Sequence, residues 1–337
     1  MRAPGFWTRP PGLASALLAP VAGLWTAVTR NRLRRPGLDL PVPVVCVGNL
    51  VAGGAGKTPV VADLAARLGA RGIAVVTLSR GHGGTLPGPL AVDPARHGAG
   101  DVGDEPLLLA LGGTTAWIAR DRAAGALAAV AAGAGVVILD DGFQNPALVK
   151  QLSLLVVDGT VGFGNGRVMP AGPLREPVAD GLARADAVVL MGEDRAGVAA
   201  LIGARLPLLR ARLVPDPAAA AALAGRRVLA FAGIGRPEKF FETCRAVCAA
   251  GGGHVAATVP FPDHHPYTGA EIDRILTRAA ALGAMPVTTA KDAVRLPPGV
   301  RDRVAVLTVR LAWDDPARLD RLLDPHFPDP DPDHGQA

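Results

Sequence analysis

The chain has 337 residues, is 49% hydrophobic and 4% aromatic, and carries a formal net charge of +5. That length holds two domains or one large one. Its three cysteines, Cys46, Cys244 and Cys248, exclude a disulfide framework and point to a reducing compartment. The basic surplus is not accompanied by an aromatic-interleaved patch or a recognition motif, so nucleic acid is not an expected partner.

Many of the arginines bunch at the N-terminus, as Arg2, Arg9, Arg30, Arg32, Arg34 and Arg35, around the apolar stretch 12–28. That stretch contains Trp25 and is interrupted by Pro20. A spanning helix wants about 20 apolar residues, and a signal peptide wants a small-residue cleavage site. The segment meets neither requirement. It reads as a monotopic anchor over residues 1–35, lying on an anionic membrane surface. A helix packed on the domain is the alternative.

Next comes a buried-strand pattern at 42–47, followed by the Gly-rich turn Gly48-Asn49-Leu50-Val51-Ala52-Gly53-Gly54-Ala55-Gly56-Lys57-Thr58. Glycines let backbone N–H groups wrap a phosphate, and the helix that follows adds the positive end of its dipole. Lys57 is expected to reach the β- and γ-phosphates of a nucleoside triphosphate, and the Thr58 hydroxyl to hold Mg²⁺. Gly48, Asn49, Gly53, Gly54, Ala55 and Gly56 complete the expected cradle. The usual pattern wants Gly at position 51, where this chain has Val51.

Apolar runs at 73–78, 136–139, 154–158 and 187–191 alternate with helical stretches at 59–69, 105–111, 120–132 and 194–204. The pattern predicts a parallel α/β sheet with helices on both faces over residues 36–220. Ser79-Arg80-Gly81 ends the second strand, and Arg80 is a candidate phosphate contact or a solvated loop residue. Asp104 opens a helix, an N-cap by default and a base only if it faces the ligand. Asp140 and Asp141 follow a continuous apolar strand, where a P-loop enzyme keeps the carboxylate for its metal. Either of them is expected to hold Mg²⁺. The irregular loop 164–177 is long enough to carry function.

An Ala/Pro-rich junction precedes a smaller α/β domain over 221–324, with strands expected at 228–232, 254–259, 286–289 and 304–309 and helices near 239–250 and 269–282. Cys244 and Cys248 read as a buried helix face rather than a metal site. His264 and His265 are candidates for proton transfer or exposed loop residues. Lys291 follows a strand and is a candidate for nucleotide or lipid phosphate. The Pro/Asp tail, 325–337, is expected to be disordered.

Together, Gly48 to Pro59, Ser79-Arg80-Gly81, Gly103-Asp104-Glu105-Pro106, 140–144, 170–177, Asp263-His264 and Lys291-Asp292 resemble the tetraacyldisaccharide 4′-kinase family of lipid A synthesis. The resemblance implies a P-loop kinase on the cytoplasmic face of the inner membrane. Its substrates would be ATP with Mg²⁺ and an acylated glucosamine disaccharide lipid, and no obligate protein partner is evident. It also implies that Asp104 and His264 form a catalytic dyad, meeting only when the domains close, and that Glu176 lies near the metal with Asp140 and Asp141. Asn145, His82 and Ala290 stand where that family usually shows His, Tyr and Glu. A membrane-associated switch ATPase of the partitioning type is the alternative, although residues 48–55 lack the extra Lys of its loop.

Overall fold

The computed structural model describes residues 4–297 and 299–327. Two parallel sheets divide the chain. The larger has nine strands: β1 (Val44–Gly48), β2 (Val75–Ser79), β3 (Leu90–Ala91), β4 (Thr115–Ile118), β5 (Val136–Asp140), β6 (Leu152–Asp158), β7 (Ala187–Met191), β8 (Leu208–Pro215) and, after a long excursion, β13 (Val309–Trp313). Their spatial order is β13-β8-β7-β6-β1-β5-β2-β4-β3, with only the outermost strands antiparallel to their neighbours. The smaller sheet has β9 (Arg227–Ala232), β10 (His254–Pro260), β11 (Met285–Thr289) and β12 (Ala305–Leu307) in the order β10-β9-β11-β12, all parallel.

The central strands β1, β5 and β7 are buried along their whole length, which is why they read as unbroken apolar runs rather than alternating ones. Helices cover both faces. On one side lies α2 (Lys57–Ala70), on the other α1 (Leu13–Leu33) and α4 (Arg122–Ala131). The remaining helices that bear on the site are α3 (Asp104–Leu111), α5 (Val178–Leu182), α6 (Pro237–Ala250), α7 (Gly269–Ala281), α8 (Ala290–Ala293) and α9 (Pro316–Leu323). Cys244 and Cys248 are buried on the inner face of α6, as their spacing implies.

Several boundaries differ from the sequence-based expectation. The smaller domain does not run to residue 324. After β12 the single residue Thr308 leads straight into β13, which pairs with β8, and Trp313 Nε1 donates to Asp63 of α2 at 2.8 Å. Arg67 of α2 and Arg71 just after it reach Asp320 of α9. The last helix therefore closes the larger domain, and the run 304–309 is two strands in different sheets. Residues 325–327 are not part of a loose tail, since Phe327 is buried and its carbonyl accepts from Arg71 at 2.8 Å. Residues 328–337 of that expectation lie outside the described residues. The helix expected from 194 begins only at Val198, because Asp194 caps the Val198 and Ala199 amides and Gly197 adopts a left-handed φ of 68°.

The N-terminal helix differs too. It runs for 21 residues straight through Pro20, and it is long and apolar enough to cross a membrane by length and composition. Its small and polar face is the one that packs: Ser15, Ala22 and Thr29 are buried. Ser15 Oγ donates to the Ala171 carbonyl at 2.9 Å, and Arg30 pairs with Asp180. The opposite stripe, Leu13, Leu17, Val21, Leu24 and Val28, stands in solvent, with Leu13 at 78% exposure. This inverts the usual amphipathic pattern.

One glycine locks the sheet to the site. A Cβ on Gly48 would lie 2.3 Å from the Phe143 Cβ, whereas one on Gly54 would meet nothing within 4 Å. Gly48→Ala is expected to lower unfolding stability by about 1–3 kcal/mol, the usual scale of core overpacking. Gly54→Ala should stay within about 0.5 kcal/mol of wild type. Urea unfolding of the two variants checks the contrast.

Candidate active site

The turn after β1 is built to hold itself open. Asn49 is buried, and its side-chain amide donates to the carbonyls of Val51 at 2.7 Å and Gly53 at 3.3 Å. Its Oδ1 accepts from Lys57 Nζ at 3.2 Å. Asn49 thus shapes the loop and steadies the lysine. Gly48 packs closely against Phe143. Val51 stands where the pattern wants Gly because it is extended and bridges Leu174, flanked by Ala52 N–H to Pro173 O and Arg175 N–H to Leu50 O. Gly53 at φ 128° and Gly56 at φ 87° turn the remaining loop in left-handed conformations that side chains disfavour. Gly56 leads directly into α2, so the loop runs into the positive end of that helix at this spot.

Asp140 ends β5 beside this spot, and Thr58 Oγ1 donates to its Oδ2 at 3.5 Å. Burial pushes the Asp140 carboxyl up to about 7, with Lys57 pulling the other way and Asp141 and Glu105 adding to the rise. Asp141 adopts a left-handed φ of 58°. Burial opposes its ionisation too, but Lys57 at 3.5 Å and Arg175 at 2.7 Å overcome this and hold it below the usual carboxylate range. The two aspartates therefore differ. Asp141 is spoken for by two cations, while Asp140 and Thr58 present hard oxygens in a buried setting that a cation would stabilise.

That donor set fits Mg²⁺, which is usually bound by one or two carboxylates with phosphate and water completing the octahedron. Among the described residues there is no group of three or more His, Cys, Asp or Glu that could hold a metal without such help. Glu176, expected near the metal, is turned elsewhere. It is fully buried, with one oxygen accepting from Gln144 Nε2 at 2.9 Å and the other from Arg184. Gln144 in turn donates to the Asn49 carbonyl at 2.9 Å, so Glu176 braces the cradle from behind. Arg80 is exposed at the end of β2.

A second cluster faces the first. Gly103, at φ 92°, is the N-cap of α3, which makes Asp104 the first helical residue and frees its side chain from capping. The Asp104 carboxylate meets His264 Nδ1 at 2.8 Å and Arg295 Nε at 3.3 Å. His264 sits in a left-handed turn at φ 55° after β10, with its N–H donating to the Gly233 carbonyl at 3.0 Å. Its Nε2 lies 3.4 Å from Lys291 Nζ, and Lys291 pairs with Glu105 at 2.7 Å. Lys291 thus bridges α8 and α3. Hydrogen bonding to Asp104 pulls the His264 pKa above its ordinary value, against burial and Lys291. The expectation that Asp104 and His264 meet only on domain closure is not met, because these cross-sheet ion pairs already join them. His265 points away, to Glu271 at 3.1 Å and against Phe261 and Tyr267.

Sequence reasoning missed Arg295. Its guanidinium is nearly buried and also contacts Asp292 at 2.8 Å and the carbonyls of His265 and Gly233 at 3.1 Å each. Asp292 is itself held by Tyr267 Oη–H at 2.7 Å and the Gly233 amide at 2.8 Å. The available signal was spacing: Arg295 falls one helical turn after Lys291-Asp292. Arg175 was visible only as one residue of a long loop. Glu105 of this cluster lies near enough to Asp140 of the first for its charge to push the Asp140 carboxyl upward.

A family model described as tetraacyldisaccharide-1-P 4′-kinase (LpxK) matches residues 14–327. The tetraacyldisaccharide 4′-kinase of Rhodospirillum centenum is 66% identical over 343 aligned positions, covering 100% of both chains. That of Rhodospirillum rubrum is 56% identical over 96% of this chain and 97% of its own. Among solved structures, LpxK from Aquifex aeolicus, an "apo" form in complex with ATP, superposes with a TM-score of 0.74 at 28% identity, covering 94% of this chain and 100% of that one.

The raised pKa of His264 gives a stability signature. The Asp104–His264 attraction contributes fully below about pH 6.5, the unfolded value of histidine, and is lost as pH rises through the higher folded value. The stability difference between wild type and His264→Ala should therefore be larger at pH 6 than at pH 9. Urea titrations at the two pH values read it directly.

Proposed function

The chain belongs to the tetraacyldisaccharide-1-P 4′-kinase family, and we propose that Asp104 is the base of its reaction, oriented by His264 and Arg295. The enzyme is an ATP-dependent kinase of lipid A synthesis that moves the γ-phosphoryl group to the 4′-hydroxyl of the tetraacyl disaccharide 1-phosphate. The observation that carries the residue assignment is the 2.8 Å contact between Asp104 and His264, set across from Lys57 and the Thr58–Asp140 pair.

A sugar hydroxyl is a weak nucleophile. Phosphoryl transfer through a loose transition state asks mainly for alignment and charge neutralisation. The Gly53–Thr58 amides and Lys57 supply positive potential for the phosphates. Lys57 is kept extended by Asn49 and Asp141. Thr58 and Asp140 are the residues that would hold Mg²⁺, which supplies neutralisation of charge on the phosphate oxygens when bound. Asp104 accepts the proton of the 4′-hydroxyl as the new bond forms. The hydrogen bond with His264 Nδ1 and the nearby charge of Arg295 orient its carboxylate. Glu176, Gln144 and Arg175 act behind these groups, holding the loop and Asp141 in place.

The exposed stripe of α1 supports a monotopic location on the cytoplasmic face of the inner membrane, where ATP and the lipid substrate are both within reach. The body of the protein grips the polar side of the helix, and the apolar side is left for the bilayer.

Asp104→Asn should lower turnover in a radiolabelled phosphate-transfer assay by about 10²–10⁴-fold, the usual worth of a general base, with little change in KM for ATP. An unchanged rate would remove Asp104 from the role. Leu17→Glu with Leu24→Glu should shift the protein from vesicle pellet to supernatant while leaving its thermal midpoint intact, since both side chains stand in solvent. Retention on vesicles would refute the monotopic reading.

A further inference from the structure

We propose that a cationic pocket at the C-terminal foot of α1 binds the phosphate of an anionic lipid headgroup. The cavity, about 340 Å³, lies on the face of the large sheet that carries α1 and is lined by Arg35, Lys150, Arg184, Ser153, Leu33 and Leu148 among others. It is separate from the phosphate loop and from the Asp104 cluster, neither of which contributes a residue to it.

Its charges are only partly balanced. Arg184 is paired with Glu176 and stacks over the Phe143 ring at 4.6 Å. Lys150 is half-buried, and its ammonium reaches only carbonyl oxygens, that of Asn145 at 2.7 Å and that of Phe143 at 3.4 Å. Among the described residues no carboxylate lies within 4.0 Å of Lys150 Nζ or of the Arg35 guanidinium. Asp186 adjoins the pocket but is exposed and accepts the Ser153 amide at 2.7 Å. A half-buried ammonium without a counter-charge is costly to keep. Burial, with the neighbouring charge of Arg184, pulls the Lys150 pKa down accordingly. An anion placed between Lys150 and Arg35 would supply the missing charge, and phosphate oxygens match this arrangement of an ammonium, a guanidinium and a serine hydroxyl.

The position of the pocket selects the source. It opens where the exposed apolar stripe of α1 ends and the Arg30, Arg32, Arg34 and Arg35 run begins. On a bilayer that is headgroup depth. Only this choice of a lipid source rests on the membrane reading of α1; the phosphate chemistry rests on the pocket alone.

The test compares wild type, Lys150→Met, Lys150→Arg and Arg32→Ala on phosphatidylglycerol and phosphatidylcholine vesicles. Work at about 0.5 M salt suppresses the contribution of exposed charges such as Arg32. Lys150→Met is expected to lose about tenfold in affinity for phosphatidylglycerol, the scale of one charge-assisted hydrogen bond. Lys150→Arg and Arg32→Ala should keep it, and binding to phosphatidylcholine should be alike in all four. A parallel arm without vesicles follows the thermal midpoint with sn-glycerol 3-phosphate. No shift there, with the vesicle difference intact, supports the lipid source. A midpoint rise in wild type but not in Lys150→Met, with vesicle binding equal, would transfer the pocket to a soluble phosphate and overturn the lipid assignment. Equal behaviour of wild type and Lys150→Met in both arms, or an equal loss in Arg32→Ala, would overturn the pocket itself. Because the readouts are binding to defined lipids, failure here leaves the kinase assignment untouched.

Discussion

Two parallel sheets aim their C-terminal edges at each other, and charge does most of the joining. Asp104 and Glu105 on α3 of the large domain meet His264, Lys291 and Arg295 of the small one, and Arg236 with Lys239 reaches Asp158 at the end of β6. A modest apolar patch of Val102, Leu107, Ile118 and Val294 backs these pairs. Such an arrangement joins the two domains through paired charges rather than through a large apolar seam. The buried Asp292–Arg295–Tyr267 unit gives the small-domain side a rigid foundation.

Much of this was legible in the sequence, for physical reasons. The nucleotide loop announces itself through a run of glycines, of which Gly53 and Gly56 adopt backbone conformations that side chains disfavour. The double aspartate stands out because two carboxylates after four buried apolar residues have few structural excuses. What stayed hidden depends on contacts distant in the chain. Val51 looked like a flaw in the loop until its bridge to Leu174 showed that an extended residue is wanted there. Asp104 looked like a cap, and Gly103 takes that post instead. The run 304–309 gave no hint that Thr308 divides it between two sheets, since both halves are equally apolar.

The N-terminal helix shows the limit of composition in another way. A proline and a short apolar count argued against a spanning helix, yet the helix runs unbroken for 21 residues and is long and apolar enough to cross by length and composition. Position 20 falls on the exposed side, where no packed neighbour is displaced by the ring and one missing N–H bond is the main loss. Its anchoring to the body through Ser15, Trp25 and Arg30 sets which face is left outward.

The late return of the chain to the first sheet has a consequence for biogenesis. Strand β8 has nothing to pair with on its outer side until β13 emerges, after the entire small domain has been made. The underside of α2, including Trp313's partner Asp63, waits for the same closing segment. During synthesis the nucleotide-binding half is an open-edged intermediate with exposed backbone donors. Truncation shortly before residue 309 would therefore cripple the half of the molecule made first, even though every residue of its phosphate loop had been translated long before.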